Sequence, residues 1–262
     1  MPRSARSWLG LALVALLAVG GPFAWLCSNP DLRGTIPAYF VAPGPTPAQV
    51  AAYQEAVTDA VAASGSVEAL YPGQAAWDQV IGALDLKAGD VVADIGAGTG
   101  RLEIALLERG IPFQQLYAVE ISPPSFQFLR WTLSAVRLPG SERVVPVQSD
   151  PRGLRLSADS VDVAVLLNTP IYLDDPGLPA AFAAADRAAM RSLRDTIRVG
   201  GRLHVFERTG KLAPLGGEPC AALGATLEPH GFRPVASRRM RLDWAGPLFD
   251  RHCWVMMERV AG

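Results

Sequence analysis

The sequence has little of what nucleic-acid coats, disordered proteins and metal enzymes need. Among its 262 residues, 24 Lys and Arg nearly balance 25 Asp and Glu, which gives a formal net charge of -1. A balanced chain has no global positive field to attract phosphates, so we expect no nucleic-acid partner. Hydrophobic residues make up 50% of the chain, which excludes intrinsic disorder and allows a sizeable core.

Cysteine and histidine are scarce and scattered along the chain. Cys27, Cys220 and Cys253 are too few and too far apart in sequence for a disulfide framework or a Cys-rich zinc site. The three histidines are equally dispersed, and neither an HExxH nor a CxxC motif occurs. We therefore predict no metal site and no disulfide framework.

An apolar run near the N-terminus predicts a membrane segment. Arg3 and Arg6 precede an uncharged stretch from Trp8 to Cys27, which as a helix would be about 30 Å long. The positive-inside rule keeps the arginines in the cytoplasm and places the following domain outside it. We predict a single-pass N-terminal membrane anchor. The alternative is a secreted or periplasmic protein after signal cleavage, because residues 18–20 offer the small side chains that a signal peptidase requires.

Composition divides the chain into three parts. Residues 1–27 form the signal anchor or signal peptide, and residues 28–45 are a linker rich in Pro and Gly. Thr46 and Pro47 resemble an N-cap and a first-turn proline, so we place the start of a folded domain, residues 46–262, at Thr46.

Beyond the linker, short apolar runs alternate with segments of helical periodicity. This alternation predicts an α/β fold with a doubly wound, mostly parallel sheet of seven strands, preceded by the N-terminal hydrophobic helix. The predicted strands are 91–95, 115–120, 144–148, 161–167, 202–206, 233–242 and 253–260; the predicted helices are 76–84, 102–107, 124–136, 178–199 and 218–230. Gly200 and Gly201 are expected to end the fourth of these helices just after Val199.

A glycine-rich segment lies where the first strand turns into a helix. Asp94 is followed by Gly96, Gly98 and Gly100, whose alternate spacing lets the backbone bend and a ligand approach closely. A dinucleotide fingerprint would need glycine at position 101, which is Arg101, and a P-loop would need Gly-Lys-Ser/Thr. Glu120 ends the second strand, where a carboxylate can accept hydrogen bonds from both ribose hydroxyls of a nucleoside.

These residues resemble the class I S-adenosylmethionine-dependent methyltransferases. The segment Val-Ala-Asp-Ile-Gly-Ala-Gly-Thr-Gly (92–100) is similar to their first motif, and Tyr-Ala-Val-Glu-Ile (117–121) to their ribose-binding strand. The resemblance implies a Rossmann-like methyltransferase sheet with S-adenosyl-L-methionine as cofactor. Tyr71-Pro72-Gly73, Trp77, the segment 86–90 and Ser160-Val161-Asp162 are similar, more narrowly, to a group of bacterial members that often carry export signals. By this resemblance the cofactor-binding residues are Asp94, the three glycines for the methionine end, Glu120 for the ribose, and Ser149 with Asp150 for the adenine edge.

Acceptor contacts should come from the segment after the fourth strand, because ligands of open α/β sheets lie beyond the carboxyl ends of the strands. Asn168 and Tyr172 in this segment are our candidate catalytic residues. The segment is similar to the Asn-Pro-Pro-Tyr motif of some methyltransferases, with one residue more between Asn and Tyr. The competing interpretation is a Pro turn with a capping Asn and a packed Tyr.

A run of arginines marks the penultimate strand. Arg238, Arg239 and Arg241 flank Met240 and are expected to line the exposed face of that strand. Contact with a phosphate or a phospholipid head group is the alternative.

The predicted function is transfer of a methyl group from S-adenosylmethionine, by in-line displacement, to a small-molecule, lipid or protein acceptor that the sequence does not identify. The predicted membrane contact is the N-terminal segment alone. One alternative is a membrane-anchored, non-catalytic cofactor-binding protein of the same fold, since S-adenosylmethionine is made in the cytosol whereas the domain is predicted outside it. The other is an aminopropyl-transferase-like enzyme, which shares the glycine loop.

Overall fold

The computed structural model describes residues 74–121, 123–136, 138–149, 153–169, 180–242 and 251–261. Within these ranges no helix is both long enough and apolar enough to cross a membrane. The predicted anchor, the linker and the proposed domain start at Thr46 lie outside them and stay predictions.

Five α-helices and seven strands make up the described part of the chain. In chain order they are α1 (Gln74–Leu84), β1 (Val91–Ile95), α2 (Arg101–Glu108), β2 (Gln115–Glu120), α3 (Pro123–Val136), β3 (Val144–Gln148), β4 (Val161–Leu167), α4 (Ala180–Thr196), β5 (Ile197–Arg208), α5 (Pro219–Leu227), β6 (Phe232–Arg241) and β7 (Arg251–Arg259). Short 3-10 turns at Ser141–Arg143, Thr209–Leu215 and Glu228–His230 connect some of them.

The strands form one sheet in the order β3-β2-β1-β4-β5-β7-β6. The pairs β1-β2, β2-β3, β1-β4 and β4-β5 are parallel, whereas β5-β7 and β6-β7 are antiparallel. The sheet is therefore mixed, and the prediction of a mostly parallel sheet was wrong. Residues 242–250 are too few for a crossover helix between β6 and β7, so β7 runs back against its neighbours.

Two apolar layers cover the sheet, as expected for a doubly wound fold. Trp77 of α1, Leu106 of α2 and Leu129 of α3 are buried on one face, where they pack with Val163 and Phe206. Leu193 of α4 and Leu223 of α5 are buried on the other face with Ala164, Leu203 and Val255. The strands alternate between the two layers because successive side chains point to opposite faces.

Gly200 and Gly201 do not end a helix, contrary to the sequence prediction. Helix α4 stops at Thr196, and both glycines lie inside β5, where the register with β4 shifts between Val161 and Val163. A Cβ on Gly201 would come within 3.0 Å of the Asp162 carbonyl oxygen and 2.8 Å of the Arg198 carbonyl oxygen. Glycine is required at position 201 because the backbones of the two strands approach closely there.

Candidate functional site

The glycine-rich segment forms a loop at the carboxyl edge of the sheet. Strand β1 is buried along its whole length, and the loop that follows is tied to β2 by Gly96 N–H and Ala97 N–H, which both donate to the Val119 carbonyl at 2.8 and 3.0 Å. Gly96, Gly98 and Gly100 all have positive φ, at 82°, 58° and 88°. Only glycine adopts this conformation readily, so the alternate spacing seen in the sequence reflects a backbone requirement.

The three glycines differ in how closely other atoms of the protein approach them. A Cβ on Gly96 would lie 2.3 Å from Thr169 Oγ1, and one on Gly100 would lie 3.0 Å from Leu129 Cδ1. Among the described residues, a Cβ on Gly98 would meet only the Gly96 carbonyl oxygen, at 3.9 Å. The outer two glycines are therefore packed against protein, whereas Gly98 faces open space, as a ligand cradle requires.

Glu120 lies beside this loop, as the sequence predicted. It ends β2, is 6% exposed, and its Oε2 accepts a 2.8 Å hydrogen bond from Gly98 N–H. The glycine loop and the predicted ribose carboxylate are thus held together by a direct contact.

Two buried acids lie beneath the loop. Burial, with a smaller contribution from the nearby Glu120 charge, raises the pKa of Asp94 to about 7 against the lowering effect of Glu103. Burial also holds the pKa of Glu103 well above its usual range, and the Asp94 charge adds to this. Asp94 Oδ1 and both Glu103 oxygens have no hydrogen-bond partner among the described residues. A positively charged ligand nearby would favour the charged form of these carboxyl groups.

Glu103 was missed in the sequence analysis. It is fully buried on α2 among Leu102, Ile104 and Leu106, and its Oε2 would lie 3.8 Å from a Cβ on Gly100. The signal was present in the sequence, because a lone acid inside an apolar helical run, one turn after a glycine loop, has no structural reason to be there.

Ser149, predicted at the adenine edge, does follow β3 at the same edge of the sheet. Its N–H donates to the Glu120 carbonyl at 3.0 Å, and its hydroxyl donates to the Gly153 carbonyl at 3.1 Å. Its side chain therefore shapes the turn beside Glu120. Asp150 lies outside the described residues and its role stays a prediction.

Asn168 follows β4 at the same edge. Its φ is 53°, its N–H donates to the Phe206 carbonyl at 2.8 Å, and His252 Nε2 lies 2.9 Å from its Oδ1. Because Oδ1 only accepts hydrogen bonds, this contact requires the proton to be on Nε2 of the imidazole. The side chain is thus oriented by a buried histidine from β7, which fits a positioned functional group as well as a turn. Tyr172 lies outside the described residues.

His252 could not be found from the sequence, because it lies 84 residues from Asn168 in the chain. Strand β7 is antiparallel to β5, so its first residues lie at the edge where β5 ends, with His252 opposite Arg208. The contact between His252 and Asn168 therefore follows from the pairing of β7 with β5.

Cys220 of α5 and Cys253 of β7 form a disulfide, with a Cα–Cα distance of 5.1 Å. The sequence analysis judged the cysteines by their spacing along the chain and predicted no disulfide framework. Spacing carries no information about one long-range pair, since folding places α5 directly on β7.

Among the residues that the structure describes, no group of three His, Cys, Asp or Glu side chains is arranged to hold a metal ion.

The region that holds the site is similar to known methyltransferases. Residues 92–191, from β1 into α4, match the family described as "Methyltransferase domain". This stretch of the chain is therefore similar to a methyltransferase domain. The match covers the glycine loop, Glu120 and Asn168, but neither the N-terminal segment nor β5 to β7.

A curated protein is similar to part of this region. The release factor glutamine methyltransferase of Rhodopirellula baltica is 35% identical over 75 residues. The alignment covers 29% of this chain, and the chain spans only 24% of the relative's length.

Solved structures share the fold over more of the chain. A SAM-dependent methyltransferase from Aquifex aeolicus is 16% identical with a TM-score of 0.53, covering 80% of this chain and 98% of that one. The [4+2]-cyclase SpnF is 17% identical with a TM-score of 0.54, covering 84% of this chain and 98% of that one. At such low identity these similarities show the fold alone.

Proposed function

We propose that the protein transfers a methyl group from S-adenosylmethionine to an acceptor by in-line displacement. The observation that supports this most is the pairing of Glu120 with Gly98 N–H beside an open cradle, within a methyltransferase domain. The comparisons give no support to the aminopropyl-transferase-like or non-catalytic alternatives.

The residues present fit the cofactor. The open space over Gly98 allows close approach of the methionine end, and Glu120 is placed to accept hydrogen bonds from the ribose hydroxyls. A cationic ligand above Asp94 and Glu103 would favour the charged form of these buried carboxyl groups and so lower their raised pKa values. Ser149 and Asp150 keep their predicted place at the adenine edge.

When bound, the cofactor supplies a methyl group already activated by its sulfonium. The chain then has to orient the acceptor and exclude water, for which no general base is obligatory. Asn168, fixed by the His252 hydrogen bond, is the described residue best placed to orient an acceptor, since the adjoining Thr169 contacts the glycine loop.

Replacing Asn168 should reduce turnover without affecting cofactor affinity. Asn168→Gly tolerates the positive φ but removes the side-chain amide, so we expect kcat to fall about 10- to 100-fold while the Kd for S-adenosylmethionine stays within twofold. Adenosylhomocysteine release in the presence of small phenols and amines, basic peptides and membrane extracts measures the rate, and calorimetry measures the Kd. His252→Ala should produce the same split. Wild-type rates in both variants would show that the segment after β4 is only a turn and does not orient the acceptor.

We also propose that the domain lies outside the cytoplasm, held by residues 1–27 as a single-pass anchor or released after their cleavage. The Cys220–Cys253 disulfide supports this location, because disulfides persist in oxidising compartments. Alkylation of intact cells followed by mass spectrometry should show both cysteines oxidised, and a C-terminal reporter fusion should be active only outside the cytoplasm. Free thiols and a cytoplasmic reporter would contradict the proposal. We retain the prediction that nucleic acid is not a partner.

A further inference from the structure

Glu103 places a carboxyl group inside an apolar part of the core. It is fully buried on α2, and the other buried residues of this helix are all aliphatic. Neither of its carboxyl oxygens has a hydrogen-bond partner among the described residues. A buried polar group without partners destabilises a fold, and an aliphatic side chain of similar size would avoid that cost. A carboxyl group in such a place is typical of a functional site.

Glu103 lies beneath the glycine loop and beside Asp94. Its Oε2 is 3.8 Å from the position that a Cβ on Gly100 would take. Asp94 is the penultimate residue of β1, is also buried, and its Oδ1 has no partner in the described part of the chain. The two carboxyl groups are close enough for each to shift the pKa of the other. They form a buried acid pair behind the backbone of the loop that borders the proposed cofactor cradle.

The surroundings of this acid pair are acidic and aliphatic. Burial is the main reason for the raised pKa values of both carboxyl groups, and the charge of Glu120 on β2 adds to it. Helix α3 contributes Leu129 and Leu133 beside Gly100. The other charged side chains of these elements lie at the surface or at the opposite edge of the sheet: Asp78 of α1, Arg101 and Glu108 of α2, Arg130 of α3 and Asp162 of β4. What faces the acid pair from the described residues is therefore a third carboxyl group and aliphatic surface.

We propose that a neutral Glu103 donates a hydrogen bond to Asp94, and that this acid pair makes the cradle prefer the cationic cofactor to its neutral product. When S-adenosylmethionine binds, one proton leaves the Asp94 carboxyl group for the solvent, and the negative charge that remains attracts the sulfonium. Adenosylhomocysteine has a neutral thioether in place of the sulfonium, so it lacks this attraction. The inference rests on the proposed function and makes Glu103 a positioning residue that distinguishes substrate from product.

The sign of the pH dependence follows from the protonation of the free protein. Burial raises the pKa of Asp94 to about 7, so at lower pH the free acid pair holds a proton that the complex with S-adenosylmethionine has released. The affinity for S-adenosylmethionine should therefore rise with pH up to about this value and then level off. The rise is limited to about tenfold per pH unit, because one proton is released. The affinity for adenosylhomocysteine should change much less.

Two substitutions at position 103 separate this role from core packing. Glu103→Leu suits the aliphatic surroundings, so its melting temperature should equal or exceed that of the wild type. Without the hydrogen-bond donor Asp94 ionises less readily, and the affinity for S-adenosylmethionine at pH 7 should fall about fivefold or more. Glu103→Gln keeps an N–H donor and should restore both the affinity and its pH profile. Glu108→Gln, at the other end of α2, is the matched control and should bind both ligands as the wild type does.

Titration calorimetry of the full chain tests the inference without any methyl transfer. Between pH 5.5 and 7.5 the preference for S-adenosylmethionine, measured as the ratio of the two Kd values, should rise about tenfold or more. Titrations at pH 6 in MES and in imidazole, which differ in ionisation enthalpy, should show release of about one proton with S-adenosylmethionine and much less with adenosylhomocysteine.

The outcomes separate this inference from the proposed function. A preference that does not change with pH, or equal proton release with both ligands, would overturn the inference and leave the proposed function intact. A folded Glu103→Leu variant with the wild-type pH profile would overturn it too. Failure of the wild type to bind S-adenosylmethionine at any pH would overturn both.

Discussion

Gly98→Ala should lower the affinity for S-adenosylmethionine more than 100-fold while leaving the protein folded. Gly98 has a φ of 58° and an added Cβ would meet no atom of the described residues closer than 3.9 Å, so the methyl group would project into the space that the cofactor needs. Alanine in this conformation costs about 1 to 2 kcal/mol, which a domain of this size can tolerate. Calorimetric titration and thermal unfolding measure the two effects separately.

Two glycine variants serve as controls for Gly98→Ala. Gly82→Ala on α1, with nothing within 4 Å of the added Cβ and no positive φ, should bind the cofactor normally. Gly96→Ala should mainly lose stability, because its Cβ would lie 2.3 Å from Thr169 Oγ1 and force that side chain to move. Normal cofactor binding by Gly98→Ala would place the ligand elsewhere than over this loop.

Glu120→Ala should weaken cofactor binding by more than tenfold. It removes a charged acceptor of two ribose hydrogen bonds, each worth about 1.5 to 3 kcal/mol, and it also frees the Gly98 N–H that Glu120 holds at 2.8 Å. Loss of one such bond already exceeds the 1.4 kcal/mol that correspond to a factor of ten. The measurement is the Kd for S-adenosylmethionine by calorimetry.

Charge and shape can be separated at this position. Glu120→Gln keeps the size and one acceptor oxygen, so its affinity should fall between those of the wild type and Glu120→Ala. Glu142→Ala, an exposed acid in the turn before β3, should have no effect. If Glu120→Ala bound the cofactor as tightly as the wild type, the ribose assignment would be wrong even though the domain assignment would stand.

The first four strands could be predicted to the residue from the sequence. Val91–Ile95 and Val161–Leu167 are short runs rich in β-branched residues and bounded by turn residues. Because both faces of these strands are covered, they appear in the sequence as nearly continuous apolar runs. Strand β5 was predicted too short, because Gly200 and Gly201 are a helix-stop signal in sequence but a close strand contact in the structure. Local patterns do not distinguish these two uses of glycine.

The proximity of the glycine loop and Glu120 was also predictable, since they lie on consecutive elements of the chain. The surroundings of Asn168 were not. The contact of Asn168 with His252 and the disulfide of Cys220 with Cys253 both depend on β7 lying beside β5. That order is a tertiary property with no counterpart in the periodicity of any single segment.

The most direct test of the central claim is a calorimetric titration of S-adenosylmethionine into the full chain. Binding at one site per chain with micromolar affinity, and displacement by adenosylhomocysteine, is the predicted result. A ligand at a hundredfold excess over its Kd should also stabilise the fold by about 2.7 kcal/mol. A folded sample that shows neither heat nor thermal stabilisation with either compound would contradict the account.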